Sequence, residues 1–196
     1  MARSLLGCWV VTDRPEGRVA ARLTEVEAYS GEGMDPASHA HRGPTPRAEI
    51  MFGPPGRLYV YFSYGVHWCA NVVVGPVGHG SAVLLRAGEI VVGEELARSR
   101  RPAARMSRDL ARGPARLTQA LGIGPDDRGL DLLDPESSVR LHRGVAPAAV
   151  SAGPRVGISQ ATDLPWRFWE TDATSVSVFR PGGKPPRRRA GQDGIP

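Results

Sequence analysis

The chain has 196 residues, 41% hydrophobic and 23% charged, which suits one soluble globular domain with a sizeable core and excludes a disordered or fibrous chain. Its formal charge of +5 comes from 24 arginines against a single lysine, Lys184, and its two cysteines, Cys8 and Cys69, are too few for a disulfide framework. No apolar run approaches the roughly 18 to 20 residues that span a bilayer, and the N-terminal stretch turns charged at Asp13-Arg14, unlike a secretory signal. The expectation is a cytoplasmic protein with no membrane partner, at the nucleoid if it is bacterial.

Residues 6–12 and 18–29 are predicted strands joined by the turn Arg14-Pro15-Glu16-Gly17. In the second, period-two alternation puts Glu25, Glu27 and Tyr29 on one face and Thr24, Val26 and Ala28 on the other. Residues 30–56, rich in Gly, Pro, Ser and His, are predicted to form a long loop with one helical turn around 45–51. A loop that long inside a compact domain is usually functional. Leu58–Phe62 alternates as a strand, Ser63-Tyr64-Gly65 suggests a turn, and His67–Val74 resumes the strand. Ala82–Ala87 is another short strand. Helices are predicted over 91–101 and over 115–121, the second opened by Gly113-Pro114 and closed by Gly122. Residues 129–180 read as further strands, among them Ser138–His142 and Ser175–Arg180. With Gly (24) and Pro (18) both abundant, the expected class is α+β: one mixed domain, 1–180, around a curved, mostly antiparallel sheet with few helices, then a basic disordered tail, 181–196.

Charge is unevenly spread. The tail holds +3, and residues 98–116 carry seven arginines against Asp109 alone. Such a segment is either an electrostatic footprint for a polyanion or a solvated face in a chain that uses Arg in place of Lys. The lone lysine bears on chemistry. Schiff-base formation with a sugar aldehyde needs an amine nucleophile, so sugar chemistry here is expected to use water.

Glu25 and Glu27 admit three readings: surface acids, a glycosidase pair, or one working carboxylate beside an aromatic. Neighbours at i and i+2 on one strand lie about 7 Å apart on the same side, whereas glycosidase carboxylates flank the scissile bond. His39 and His41 form an H-x-H pair, but no H-E-x-x-H or C-x-x-C accompanies it, so no metal is expected. Tyr59, Tyr61 and Tyr64 are either core aromatics on alternating positions or a stacking platform for a nucleobase.

Several ordered motifs resemble the alkyladenine (3-methyladenine) DNA glycosylase family: Thr24-Glu25-Val26-Glu27-Ala28-Tyr29, Ala37-Ser38-His39-Ala40, Thr45-Pro46-Arg47, Pro55-Gly56-Arg57-Leu58-Tyr59-Val60-Tyr61, Tyr64-Gly65, Val83-Leu84-Leu85-Arg86-Ala87, Gly113-Pro114-Ala115-Arg116-Leu117 and Arg155-Val156-Gly157-Ile158. The resemblance covers about residues 4–180. It implies a cofactor-free, monofunctional enzyme that flips alkylated or deaminated purines (3-methyladenine, 7-methylguanine, hypoxanthine) out of double-stranded DNA and hydrolyses the N-glycosidic bond. It implies Glu27 as the catalytic carboxylate and Arg86 beside the catalytic water. Tyr29, His39 and Tyr61 would sandwich the base, Asn71 would discriminate against guanine, and Tyr64 would fill the vacated stack. Arg47, and Arg116 at a helix start, are the expected phosphate contacts. The expected state is a monomer. The alternatives are a catalytically inactive nucleic-acid-binding module on the same fold, a metal-dependent hydrolase and a structural domain.

Overall fold

A computed structural model describes residues 1–63 and 65–183; Tyr64 and residues 184–196, which hold most of the expected tail, lie outside the described residues. The strands are β1 (Trp9–Arg14), β2 (Gly17–Tyr29), β3 (Leu58–Ser63), β4 (His67–Val74), β5 (Ser81–Val92), β6 (Val139–His142), β7 (Val150–Gly153) and β8 (Arg167–Glu170). Two α-helices, α1 (Glu94–Arg100) and α2 (Pro114–Leu121), follow β5. The sheet runs β3-β4-β5-β2-β1-β6, with β8 joining β2 and β7 pairing with β8, every pair antiparallel. The α+β class expected from the sequence holds.

The long strand β2 changes partner along one edge. Gly17–Arg22 pairs with β1, and Glu25–Glu27 pairs with β8, while β5 follows the other edge. Both carboxylates therefore sit in the middle of the sheet. The β2–β5 register also shifts there. Thr24 of β2 and Arg86 of β5 have no partner across the ladder, because Leu23 faces Gly88, Glu25 faces Ala87 and Val26 faces Leu85. An extra residue turns every side chain beyond it to the other face. Before the irregularity the apolar core takes Val19, Ala21 and Leu23; after it the core takes Val26. Glu25, Glu27 and Tyr29 are thereby turned away from the core.

On the helix side, Leu58, Val60, Ala70, Val72, Val83 and Leu85 pack with Leu117, Ala120 and Leu121 of α2. On the opposite side a smaller cluster of Ala40, Ala48, Met51, Tyr59, Val73 and Ala82 lies beneath the 30–56 loop. That loop carries a short 3-10 turn, Glu49–Phe52, at the end of the expected 45–51 turn.

Three expectations need correction. The strand expected at 82–87 runs from Ser81 to Val92, and α1 starts only at Glu94, because 91 and 92 continue β5. Gly93 makes the turn with φ 74°, where a Cβ would lie 2.1 Å from the Arg18 carbonyl oxygen, so only glycine fits. Ser175–Arg180 is not a strand. Its polar groups are committed to other partners: the Ser175 hydroxyl to Thr24, the Val176 carbonyl to Arg112 and Ser177 to Glu25. Among the described residues no helix is long and apolar enough to cross a membrane.

Candidate active site

One row of directly opposed residues crosses the face away from the helices: Tyr59 opposite Asn71, Asn71 opposite Leu84, Leu84 opposite Glu27, and Glu27 opposite Arg167. Opposed residues share a face, so this register alone brings five strands' side chains together. Above the row lies a cavity of about 670 Å³, within the usual range for small-molecule sites. Tyr29, His39, Arg47, Tyr61, Asn71 and Arg86 line it, with Val156–Gln160 and Pro114 supplying other walls.

Glu27 is fully buried just beneath this lining, not on it. Its Oε2 accepts from the Tyr29 hydroxyl at 3.0 Å and lies 3.4 Å from Arg86 Nη1, both from cavity-lining side chains. Its Oε1 accepts from the Val156 backbone N–H at 2.7 Å. Burial pushes the Glu27 carboxyl above the usual carboxylate range, against the pull of Arg86, the Val156 N–H and the Tyr29 hydroxyl.

Glu25 is held differently. It accepts from Arg86 Nε at 3.0 Å, Arg167 Nε at 2.6 Å, the Ser177 N–H at 2.7 Å and the Ser177 hydroxyl at 2.9 Å. Three of these donors crowd Oε1, and the Ser177 N–H takes Oε2. Both carboxylates bond to Arg86 of the cavity lining, but only Glu27 also takes the hydroxyl of the lining Tyr29, and it has three donors against four for Glu25. Arg86, with no partner across the ladder, lies between the two acids and gives its other nitrogen to Ser177 Oγ at 3.2 Å.

The tyrosines divide. Tyr59 is buried in the smaller core cluster and its hydroxyl meets His39 Nδ1 at 3.0 Å, so it is both a core aromatic and a support. Tyr61 lies on the cavity wall, with its ring 4.6 Å from the His39 ring in an edge-on arrangement. Burial raises the phenols of Tyr29 and Tyr61, which stay neutral. His39 stays exposed at the mouth, yet enclosure of its ring, with Arg47 nearby, lowers its pKa from 6.5 to about 4. It is therefore neutral at pH 7. Asn71 donates to the Tyr59 carbonyl at 3.0 Å, which fixes how its amide faces the cavity.

Arg47 lies 5.1 Å over the Tyr61 ring and donates to the Phe62 carbonyl at 3.2 Å. Arg116 is exposed on the first turn of α2. The other arginines of the basic segment separate into two groups. Arg98, Arg100, Arg101 and Arg112 are tied to Glu94, Glu16, Gln119 and the Val176 carbonyl, whereas Arg105 and Arg108 are exposed. Tyr64 lies outside the described residues.

Sequence reasoning missed the scaffold behind the site. Asp35 and Arg155 form a fully buried bidentate pair at 2.6 and 2.8 Å, and the Arg155 guanidinium lies 4.6 Å over the Tyr29 ring. Arg155 stood in a recognised motif without a role, and Asp35 gave no signal because its partner is 120 positions away. The Arg167 and Ser177 contacts to Glu25 were equally invisible.

A family model described as methylpurine-DNA glycosylase matches residues 1–174. Relatives carrying the provisional name 3-methyladenine DNA glycosylase include one from Nocardia farcinica, 51% identical over 94% of this chain and 88% of its own length. Another, from Frankia casuarinae, is 52% identical over 96% and 89%. A third, from Mycobacterium tuberculosis, is 50% identical over 96% and 93%.

Proposed function

The chain belongs to the methylpurine-DNA glycosylase family, and from that premise we propose that it is a monofunctional glycosylase that excises alkylated or deaminated purines from duplex DNA by water attack at the sugar. The observation that carries this reading is Glu27: a buried carboxylate beneath an aromatic-lined cavity large enough to admit a purine, bonded to two of the residues that line it.

A base inside the stack is out of reach of the cavity, so the nucleotide must be extruded, at a cost of a few kcal/mol. Tyr29, His39 and Tyr61 offer ring faces and edges to the extruded base, and Asn71 offers a fixed amide to its edge. N3- and N7-alkylated purines are cationic and leave without further protonation. Glu27 Oε2 takes the proton of the attacking water, and its charge stabilises the oxocarbenium-like transition state. His39 is neutral at pH 7 and does not act as the acid for a neutral leaving base. Lys184, the chain's one lysine, lies outside the described residues, and water rather than an amine is the proposed nucleophile. DNA enters as a monomeric protein's substrate, with Arg47 on the cavity wall and the exposed Arg116 of α2 as phosphate contacts.

The test incubates the protein with duplexes carrying a single 3-methyladenine analogue, 7-methylguanine or hypoxanthine. Release of free base and an alkali-labile abasic site, with no borohydride-trapped protein–DNA adduct, is expected. Binding without base release from any of these duplexes would instead support the inactive module.

A further inference from the structure

Residues 175–183 run on past the end of the family match as an irregular segment, yet Ser175, Ser177 and Arg180 bond to residues in or beside the carboxylate machinery. The Ser175 hydroxyl bonds Thr24 at 2.8 Å, beside Glu25 on β2. Ser177 gives Glu25 both its N–H and its hydroxyl, accepts Arg167 on its carbonyl at 2.7 Å and accepts Arg86 on its hydroxyl. Further on, the Arg180 carbonyl accepts the Gly157 N–H at 2.9 Å, one residue from the Val156 N–H that holds Glu27. Gly182 is packed so closely on Ile158 that a Cβ would lie 2.1 Å from its carbonyl oxygen.

We propose that this segment is a strap that aligns the site, with Ser177 and Glu25 as positioning residues: Ser177 fixes Glu25, and the pair divides the Arg86 guanidinium so that one nitrogen reaches Glu27. The proposal rests on the reading of Glu27 as the working carboxylate. Its physical content is a competition. Arg86 has two carboxylates within reach, and a buried cation shared unequally leaves the less favoured acid more easily protonated and a better base. Arg86 lies 3.0 Å from Glu25 and 3.4 Å from Glu27, so the cation is shared unequally, and its third contact, to Ser177 Oγ, holds it on the Glu25 side.

Removing the Ser177 hydroxyl strips one donor from Glu25 and one acceptor from Arg86, which frees the guanidinium to turn toward Glu27. The charged and titratable groups facing Glu27 are Arg86 from β5, Arg167 from β8, Arg155 from the loop before Val156, Cys69 from β4, and Glu25 and Tyr29 from its own strand. Glu25 opposes ionisation of Glu27 and Arg86 favours it. Turning Arg86 toward Glu27, as Ser177→Ala does, and neutralising Glu25, as Glu25→Gln does, both move Glu27 toward a lower pKa.

The test measures single-turnover excision and DNA affinity across pH for the wild type, Ser177→Ala, Ser177→Thr and Glu25→Gln, with Glu27→Gln as control. Ser177→Ala is expected to slow excision about tenfold, the worth of one charge-assisted hydrogen bond, with DNA affinity unchanged. Its acid limb should move to lower pH. Ser177→Thr, which keeps the hydroxyl, should restore both rate and profile, and Glu25→Gln, if folded, should move the limb the same way and further. A Ser177→Ala enzyme with the wild-type rate and pH profile overturns the proposal, as does one whose losses follow DNA affinity alone. If the wild type excises and Glu27→Gln does not, a normal Ser177→Ala sinks only the strap; if Glu27→Gln excises normally, the reading of Glu27 itself falls.

Discussion

The two faces of the sheet are built on opposite principles from the same strands. Toward the helices, Leu23, Val26, Leu58, Leu85 and Leu117 form a closed apolar layer in which burial and packing are the whole account. Away from the helices, the same strands present Glu25, Glu27, Arg86 and Asn71, all buried, with Asp35 and Arg155 behind them. Charges taken out of water cost several kcal/mol each unless paired. Here Arg86 and Arg167 answer Glu25, and Arg155 answers Asp35, which leaves Glu27 as the acid with the weakest ion pair. One face is made to be stable and the other is held in an unfavourable arrangement by that stability. A site that costs stability and a core that supplies it should respond to substitution in opposite ways.

The sharpest break in that comparison is Glu27→Gln. Excision should fall by about 10²- to 10⁴-fold, with DNA binding retained, as read in a single-turnover assay. The same change should stabilise the fold at neutral pH. The sign follows from linkage: the folded state raises this carboxyl's pKa, so its contribution is fully present below the unfolded value near 4.5 and is lost as pH rises through the folded one. Denaturation across pH should show the variant gaining on the wild type as pH rises; a variant less stable at pH 7 would contradict the division between the faces.

Leu85→Ala probes the other face. It should cost about 2–5 kcal/mol in urea denaturation while excision per folded molecule stays near normal. Loss of activity out of proportion to unfolding would mean that the faces are mechanically coupled through β5. A smaller effect separates the arginines of the basic segment. Arg116→Ala should lower the slope of log affinity against log salt by about one unit, and Arg100→Ala, whose charge is tied to Glu16, should leave it unchanged. Equal slopes for the two would remove the distinction between free and committed arginines. Smallest is the His39 titration: NMR should place it near 4, and Arg47→Ala should raise it. Because its folded pKa is depressed, its stabilising contribution is present above 6.5 and is lost as pH falls toward 4.

Much of the frame was legible because it is local. The alternation of Leu58–Phe62 gave β3, and the Gly113-Pro114 and Gly122 signals gave α2 almost to the residue. The Glu25, Glu27, Tyr29 face was legible as well, and Glu27 does meet Tyr29. The errors fell where local pattern and tertiary demand part. Ser175–Arg180 has strand-like composition, but its polar groups are drawn to side chains more than 60 positions away, so no ladder forms. Likewise the arginines at 98–116 formed one basic run in sequence, and folding committed Arg98, Arg100, Arg101 and Arg112 to partners.

By itself the sequence determined the class of fold, the strand that carries the acids, and the motifs that tie the chain to its family, because each is written in spacing over a few residues. Only the tertiary structure decided which of two acids on one strand face keeps the weaker ion pair and the contact to Tyr29. That choice depends on the unpaired Thr24 and Arg86 in the β2–β5 ladder and on donors from Arg167 and Ser177, about 140 and 150 positions beyond Glu25. Ion pairing acts through space over a few ångströms and carries no trace of chain separation, so nothing in the order of the residues could record it.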